Sequence, residues 1–180
     1  MARILLILTF VSFVAFTVSS TAPGTEATFP GSNGKIAFWT PDSGNWEIVT
    51  MNTDGSGRTI LATDPAWDGV PEWSPDGRRI AFGSHRAGNY DVWVMNADGA
   101  GLLQLTHDPA RDEGPSWSPD GTKIAFLSER DGEGDVYVMN TDGTGVTRVT
   151  NAPGYDDDID WSPDGSYIAY QTQNAVGGLS

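Results

Sequence analysis

Beyond the N-terminal segment, hydrophobic residues fall into short runs of four to six positions, each bounded by Gly, Pro, Asn or Asp. The runs are rich in β-branched and aromatic residues, as in Ile-Ala-Phe at Ile80 and Val-Trp-Val-Met at Val92. Runs of this length and composition predict β-strands rather than helices. From Val92 onward, bulky residues occupy both alternating faces, so this strand is predicted to be covered on both sides.

The polar positions between the runs repeat along the chain. The turn Trp-Ser-Pro-Asp-Gly occurs three times at intervals of 44 residues, beginning at Trp73, Trp117 and Trp161. Its Pro presets the backbone of a type I turn and its Gly accepts a positive φ, so each copy predicts a hairpin. Asn-x-Asp-Gly, first found at Asn52, recurs at the same interval and predicts a second hairpin. A period of this length indicates a repeated supersecondary unit.

Each unit therefore contains four strands, and four-stranded antiparallel sheets that pack face to face around an axis form a β-propeller. We predict an all-β fold of this class. The first copy lacks the strand that ends in Trp, the next two are complete, and the last stops after two strands. About three and a half blades are present, whereas a closed ring needs roughly four to eight. We therefore expect an incomplete ring, either a fragment of a longer chain or one completed by self-association.

The repeated residues also resemble a known family. Trp-Ser-Pro-Asp-Gly, Ile-Ala-Phe, Val-Tyr-Val-Met-Asn and Asp-Gly-x-Gly are similar to the propeller repeat of TolB-like proteins, over roughly Gly34 to Tyr170. The resemblance implies that the strand ending in Trp is the innermost of its blade. It also implies a protein or peptide partner, because TolB works in the bacterial periplasm with envelope partners of the Tol-Pal system.

The N-terminal segment has the layout of a secretory signal peptide. Arg3 precedes an apolar stretch from Ile4 to Val18, and small residues follow. The stretch is short for a spanning helix, which needs about 20 apolar residues, so we expect export to the periplasm or cell exterior without a membrane span. We divide the chain into a signal peptide (1–22), a linker (23–33), repeats (34–72, 73–116, 117–160 and a partial copy, 161–172) and a tail (173–180).

The charge of the chain narrows the class of partner. Its formal net charge is −14 at pH 7, and a chain this acidic repels phosphate backbones. We therefore expect no nucleic-acid partner. The chain also contains no Cys, so an exported domain would fold without disulfides.

Candidate binding residues lie in the longer loops, at the end of the blades opposite the hairpins. These loops differ between copies, and variable loops on a rigid scaffold commonly bind ligands. Asp68, Asp112 and Asp156 each lie five residues before a repeated Trp and are expected to form a partial ring of carboxylates. They either cap their own loops or hold a basic peptide segment or a cation, with calcium as the candidate metal and no other cofactor expected. Further binding candidates on the same loops are His85, Arg86 and Arg130.

Catalysis finds little support in the sequence. The Gly-x-Ser-x-Gly nucleophile elbow is absent, and no set of residues suggests another catalytic arrangement. We therefore predict an exported, non-enzymatic propeller module that binds a protein or peptide. The alternative is the N-terminal propeller portion of a larger exported hydrolase or peptidase whose catalytic domain lies outside these 180 residues.

Overall fold

The structure is a computed structural model of the chain, and it describes residues 34–41 and 44–173. The predicted signal peptide and linker, and all but the first residue of the predicted tail, lie outside the described residues. Within the described part there are thirteen β-strands and no helix. No element of that part therefore meets the length and apolar character that a membrane-crossing helix requires.

The strands form four antiparallel sheets, taken in chain order. The first sheet has three strands, β1 (Lys35–Thr40), β2 (Glu47–Asn52) and β3 (Thr59–Ile60). The second has four strands, β4 (Asp68–Trp73), β5 (Arg79–Ser84), β6 (Asp91–Asn96) and β7 (Leu103–Gln104). The third also has four, β8 (Asp112–Trp117), β9 (Lys123–Ser128), β10 (Asp135–Asn140) and β11 (Thr147–Arg148). The fourth has two, β12 (Tyr155–Trp161) and β13 (Ile168–Gln173).

This arrangement confirms the predicted fold class. The sheets are propeller blades, and the described residues do not close a ring. We call the second and third sheets the interior sheets, and the first and fourth the end sheets. Among the described residues, the first sheet has no innermost strand and the fourth has no outer strands, in line with the copies that the repeat predicts.

The repeated turn forms the hairpin that its residues predict. Gly77 has φ of 67°, and its N–H donates to the carbonyl oxygen of Ser74 at 2.8 Å. The Asp76 carboxylate accepts from the Ser74 hydroxyl at 2.6 Å and from the Arg78 N–H at 3.1 Å. The same bonds recur one and two repeats later, so the turn is held by its own side chains in every copy.

The core lies between neighbouring sheets. One cluster joins the interior sheets and consists of Ala81, Val92, Val94, Leu105, Trp117, Ile124, Phe126, Tyr137 and Met139. A second cluster joins the first sheet to the second through Ile48, Ala62, Ile80, Phe82 and Met95. The middle strands of the second sheet, β5 and β6, are thus covered on both faces, as the run at Val92 predicts. Burial of each large apolar side chain stabilises this stack by roughly 1.5–3 kcal/mol.

Candidate functional site

The strands β4, β8 and β12 lie beside one another across neighbouring sheets, and each is interrupted at the same place. Their pairing with the next strand shifts between Gly69 and Glu72 in β4, and the same shift recurs in β8 and β12. The residue within each bulge has a positive φ: 50° at Val70, 59° at Gly114 and 50° at Asp158. Such bulges redirect the neighbouring side chains and are frequent near functional sites.

These bulges line a cavity of about 360 Å³, which we call the axial pocket. Its wall combines apolar side chains with four carboxylates, contributed mainly by β4, β8 and β12. The lining residues are Trp39, Val70, Pro71, Glu72, Glu113, Gly114, Pro115, Leu127, Asp157, Asp158 and Ile159. No Lys, Arg or His belongs to this lining. An apolar cleft with a few polar groups is the usual form of a ligand site, and here the polar groups are acidic.

Glu72 connects two of the inner strands at this pocket. One of its carboxylate oxygens, Oε1, accepts from the Trp117 N–H at 3.2 Å and from the Ser116 hydroxyl at 3.4 Å. Burial raises the pKa of Glu72 to about 7, and the negative charge of Asp160 contributes to the rise. Glu72 therefore changes its charge near neutral pH while it holds β4 against β8.

The other carboxylates are more accessible. Glu113 accepts from Arg111 at 2.7 Å in a partly exposed ion pair. Burial raises the pKa of Glu113, whereas the hydrogen bond and charge of Arg111 lower it. Asp157 and Asp158 are exposed on β12. The pocket therefore presents more negative than positive charge to whatever enters it.

The loop residues singled out from the sequence form two equivalent ion pairs. Arg86 donates through Nη2 to both carboxylate oxygens of Asp68, at 3.0 and 2.8 Å. Arg130 does the same with Asp112, at 3.0 and 2.9 Å. Each arginine also donates through Nε to a serine, Ser84 or Ser128, at the end of the second strand of its sheet. The pair therefore ties the start of an inner strand to the loop that follows the next strand.

Aromatic rings pack against the guanidinium groups of both arginines. The guanidinium of Arg130 lies 4.8 Å from the ring centre of Tyr137 and 5.5 Å from that of Phe126, and Arg86 has equivalent contacts. Both aspartates are buried, and burial raises their pKa against the opposing effect of the serine and arginine partners. Because each buried carboxylate is already paired with an arginine, a structural role explains it better than cation binding.

The remaining predicted residues lie apart from these pairs. Asp156 is buried and accepts from the Thr150 hydroxyl at 2.6 Å. His85 is exposed, with its ring edge-on to Tyr90 at a centroid distance of 5.3 Å. Over residues 34–41 and 44–173, no three His, Asp or Glu side chains converge in a group that could hold a metal ion. The structure thus pairs two aspartates with arginines and does not join the three predicted aspartates into one group.

Comparison with known proteins identifies the family. A profile of the PD40 family, the TolB beta propeller domain, matches residues 14–177. The chain belongs to the TolB β-propeller family. A TolB candidate from Agrobacterium tumefaciens is 27% identical with a TM-score of 0.73, and the match covers 80% of this chain and 52% of that one. No curated protein matches the chain.

Two further solved structures share the fold of this TolB-family chain. TolB from Acinetobacter baumannii is 22% identical with a TM-score of 0.70, covering 80% of this chain and 36% of that one. An oligogalacturonate lyase in complex with manganese is 19% identical with a TM-score of 0.58, covering 72% and 36%. The chain therefore spans about half, or less, of the length of these structures.

The axial pocket of this TolB propeller is what sequence reasoning missed. The loop pattern predicts Asp68 and Arg86 as candidates, whereas the pocket lies in the middle of the inner strands. A signal was present, because Val70, Gly114 and Asp158 obey the same 44-residue interval as the repeated Trp. That interval places them on equivalent inner-strand positions, although it does not reveal the bulge or the positive φ.

Proposed function

We propose that this TolB propeller is an exported, non-enzymatic module that binds a protein or peptide segment in the axial pocket. The bound segment carries a lysine or arginine flanked by small or aliphatic residues. The observation that carries the proposal is the pocket wall, which combines four acidic side chains with apolar ones and includes no basic residue. Export is supported by the signal-peptide pattern of residues 1–22.

The chemistry of the wall favours a basic side chain over a metal ion. Glu113 and Asp157 lie on adjacent inner strands, and each keeps exposed surface. A long cationic side chain can place its methylenes against exposed apolar residues such as Val70 while its charged end reaches a carboxylate. Complementary charge would also speed the encounter with a basic partner, since the whole chain is acidic.

Binding of synthetic peptides tests the proposal. One peptide carries two lysines among alanine and leucine, and its matched partner carries two glutamates instead. We expect isothermal titration calorimetry to detect binding of the lysine peptide, which weakens as salt is added. The glutamate peptide is expected not to bind.

Variants assign the binding to the pocket. The double variant Glu113→Gln/Asp157→Asn is expected to weaken lysine-peptide binding roughly ten-fold. The matched control is Asp98→Asn/Asp142→Asn, which removes the same charge at the hairpin end and keeps an oxygen acceptor for the turn. Equal weakening by both double variants would mean that only net charge matters and would refute the pocket assignment.

A second candidate function is the propeller portion of a larger exported hydrolase or peptidase. It is favoured by the presence of an enzyme, the oligogalacturonate lyase, among the structures that share the fold. Reading the gene beyond Ser180 discriminates the two. A nucleophile elbow in the following sequence would support the enzyme and contradict the stand-alone binding module, whereas further blades and a stop codon would do the reverse.

A further inference from the structure

The axial pocket holds two carboxylates at equivalent repeat positions, and they differ in their partners. Glu113 and Asp157 lie 44 residues apart, on β8 and β12, and both belong to the pocket wall. Arg111 donates through Nη2 to the Glu113 carboxylate at 2.7 Å. Asp157 accepts from the Asp158 N–H at 2.9 Å, and no basic side chain within residues 34–41 and 44–173 forms an ion pair with it.

Arg111 is held beside the pocket by two contacts. Its guanidinium lies 5.0 Å from the ring centre of Tyr90 and forms the ion pair with Glu113. The Arg111 side chain is 43% exposed, whereas the Glu113 side chain is only 20% exposed. A cation that enters the pocket therefore finds the charge of Glu113 already balanced, with a second positive charge next to it.

The repeat indicates that the scaffold does not require a positive charge at this position. The residue equivalent to Arg111 is Trp67 in the preceding copy and Tyr155 in the following one. Trp67 packs edge-on against Trp46 at a centroid distance of 5.9 Å. The ring of Tyr155 lies so close to Gly134 that a Cβ there would come within 2.7 Å of it. An uncharged ring therefore suffices for packing at this position, and the charge of Arg111 needs another explanation.

We infer that Arg111 is a specificity-determining residue of the axial pocket, which directs the basic residue of a bound segment away from Glu113 and onto Asp157. The inference rests on the proposed function, because it concerns the ligand of the same pocket. The ligand's cation pairs with the carboxylate that has no internal basic partner. Its apolar flanking residues then face the part of the wall formed by β4, which carries Val70 and Pro71.

The distribution of charge along the pocket wall supports this placement. On β4 the position equivalent to Glu113 and Asp157 is Gly69, which offers no carboxylate. Glu72, the acidic lining residue of β4, is already engaged in hydrogen bonds to β8. On β12, Asp157 is followed directly by Asp158, and both line the pocket. A cation is therefore attracted most strongly at β12, while like-charge repulsion by Arg111 opposes its approach at β8.

Removal of the arginine charge tests the inference. Arg111→Gln is titrated with the lysine peptide by isothermal titration calorimetry, and the matched control Arg78→Gln removes the same charge from an exposed hairpin residue. We expect Arg111→Gln to bind roughly three-fold more tightly than Arg78→Gln, because Glu113 becomes available and the repulsion is removed. Arg111→Tyr supplies the residue that the following copy uses and should tighten binding similarly. Circular dichroism checks that the variants keep their strands.

A double-mutant cycle shows which carboxylate holds the ligand's cation. In the parent chain, Asp157→Asn should weaken lysine-peptide binding roughly five-fold, because Glu113 remains paired with Arg111. In the Arg111→Gln background the same substitution should weaken binding only about two-fold, since Glu113 can then replace Asp157 as the partner. The difference between the two losses measures the coupling between Arg111 and Asp157 through the ligand.

Two results would overturn the role of Arg111 and leave the proposed function intact. In the first, the lysine peptide binds the parent chain, but Arg111→Gln binds it no more tightly than Arg78→Gln does. In the second, Asp157→Asn causes the same loss of affinity in both backgrounds. If the lysine peptide bound neither the parent chain nor Arg111→Gln, the proposed function itself would be refuted and the inference would fall with it.

Discussion

The interior and end sheets are built from the same repeated sequence but differ in burial. Ile80 and Phe126 are fully buried in the interior sheets, whereas Ile36 and Tyr170 at equivalent positions of the end sheets are 41% and 43% exposed. The strands β1, β5 and β9 pair with their following strands in equivalent register, and β13 occupies the same position in the repeat. The motif therefore determines strands and hairpins, and the neighbouring sheet determines burial.

The difference in burial shows that hairpin formation and apolar stabilisation have separate physical sources. The Ser-Pro-Asp-Gly turn closes in every copy because its bonds lie within a few residues. Apolar stabilisation instead requires a sheet on each side, as in other stacked repeats. We therefore expect the interior sheets to open last and the end sheets to open first in hydrogen exchange.

The largest effect should come from truncating matched aromatic residues. Phe126→Ala removes a ring from the cluster between the interior sheets and should cost about 3–5 kcal/mol of unfolding free energy. Tyr170→Ala removes an exposed ring and should cost less than about 1 kcal/mol. Urea unfolding followed by circular dichroism measures both. Similar losses would show that the fourth sheet is covered as fully as the interior ones.

A smaller difference in unfolding free energy is expected between variants that break a buried ion pair and variants that break an exposed one. Asp112→Asn leaves the Arg130 guanidinium without its carboxylate, and because Arg130 keeps some solvent exposure we expect a loss of about 2–3 kcal/mol. Glu113→Gln breaks the accessible pair with Arg111 and should cost less than about 1 kcal/mol. Thermal unfolding of both variants at one pH gives the comparison. Equal losses would contradict a structural role for the Asp112 pair.

Much of the fold was predictable because its signals are local or periodic. Turn residues and a 44-residue interval suffice to predict strands, hairpins and incomplete blades, all of which the structure confirms. The ion pairs were partly accessible to the same reasoning, since Asp68 and Arg86 were each identified from the loops. Their mutual contact was not predicted, because it joins residues 18 positions apart through a side-chain geometry that has no sequence pattern.

The axial pocket could not be predicted for a different physical reason. It depends on a bulge in three strands from three sheets, and a bulge changes the pairing register without changing the strand composition. Val70 illustrates the difficulty, because valine favours extended strands and gives no indication of a positive φ. Gly114 alone carried a compositional hint at this position.

The pH dependence of stability should differ in sign between Glu72, at the contact of β4 with β8, and Asp164, in the turn of the fourth sheet. The pKa of Glu72 rises to about 7 in the folded chain from an ordinary value of 4.5, so the folded state keeps a proton that the unfolded state loses over this range. Its contribution to stability is therefore present at low pH and lost as pH rises toward 7. Glu72→Gln should remove this dependence and gain about 2 kcal/mol relative to the parent at pH 8.

The turn carboxylate Asp164 provides the opposite sign. Bonds from the Ser162 hydroxyl and the Ser166 N–H lower its pKa in the folded chain, so its contribution is present above the unfolded value and lost as pH falls. Asp164→Asn should therefore lose stability relative to the parent as pH rises from 3 to 6. Unfolding free energies of Glu72→Gln, Asp164→Asn and the parent are measured across pH. If the difference between variant and parent changed with pH in the same direction for both variants, this assignment would be contradicted.

The smallest expected effect concerns the bulge, which the fourth sheet shares with the interior sheets. Positive φ disfavours a side chain, most strongly a β-branched one, so Gly114→Val should destabilise the chain by about 1–2 kcal/mol. Val70→Gly relieves the same strain in β4, but glycine also adds roughly 0.5–1 kcal/mol of unfolded-state entropy. Its net effect should therefore lie within about 1 kcal/mol of the parent. Guanidinium unfolding measures both, and a neutral Gly114→Val would show that the bulge relaxes freely, in which case the pocket wall is not rigidly set by the inner strands.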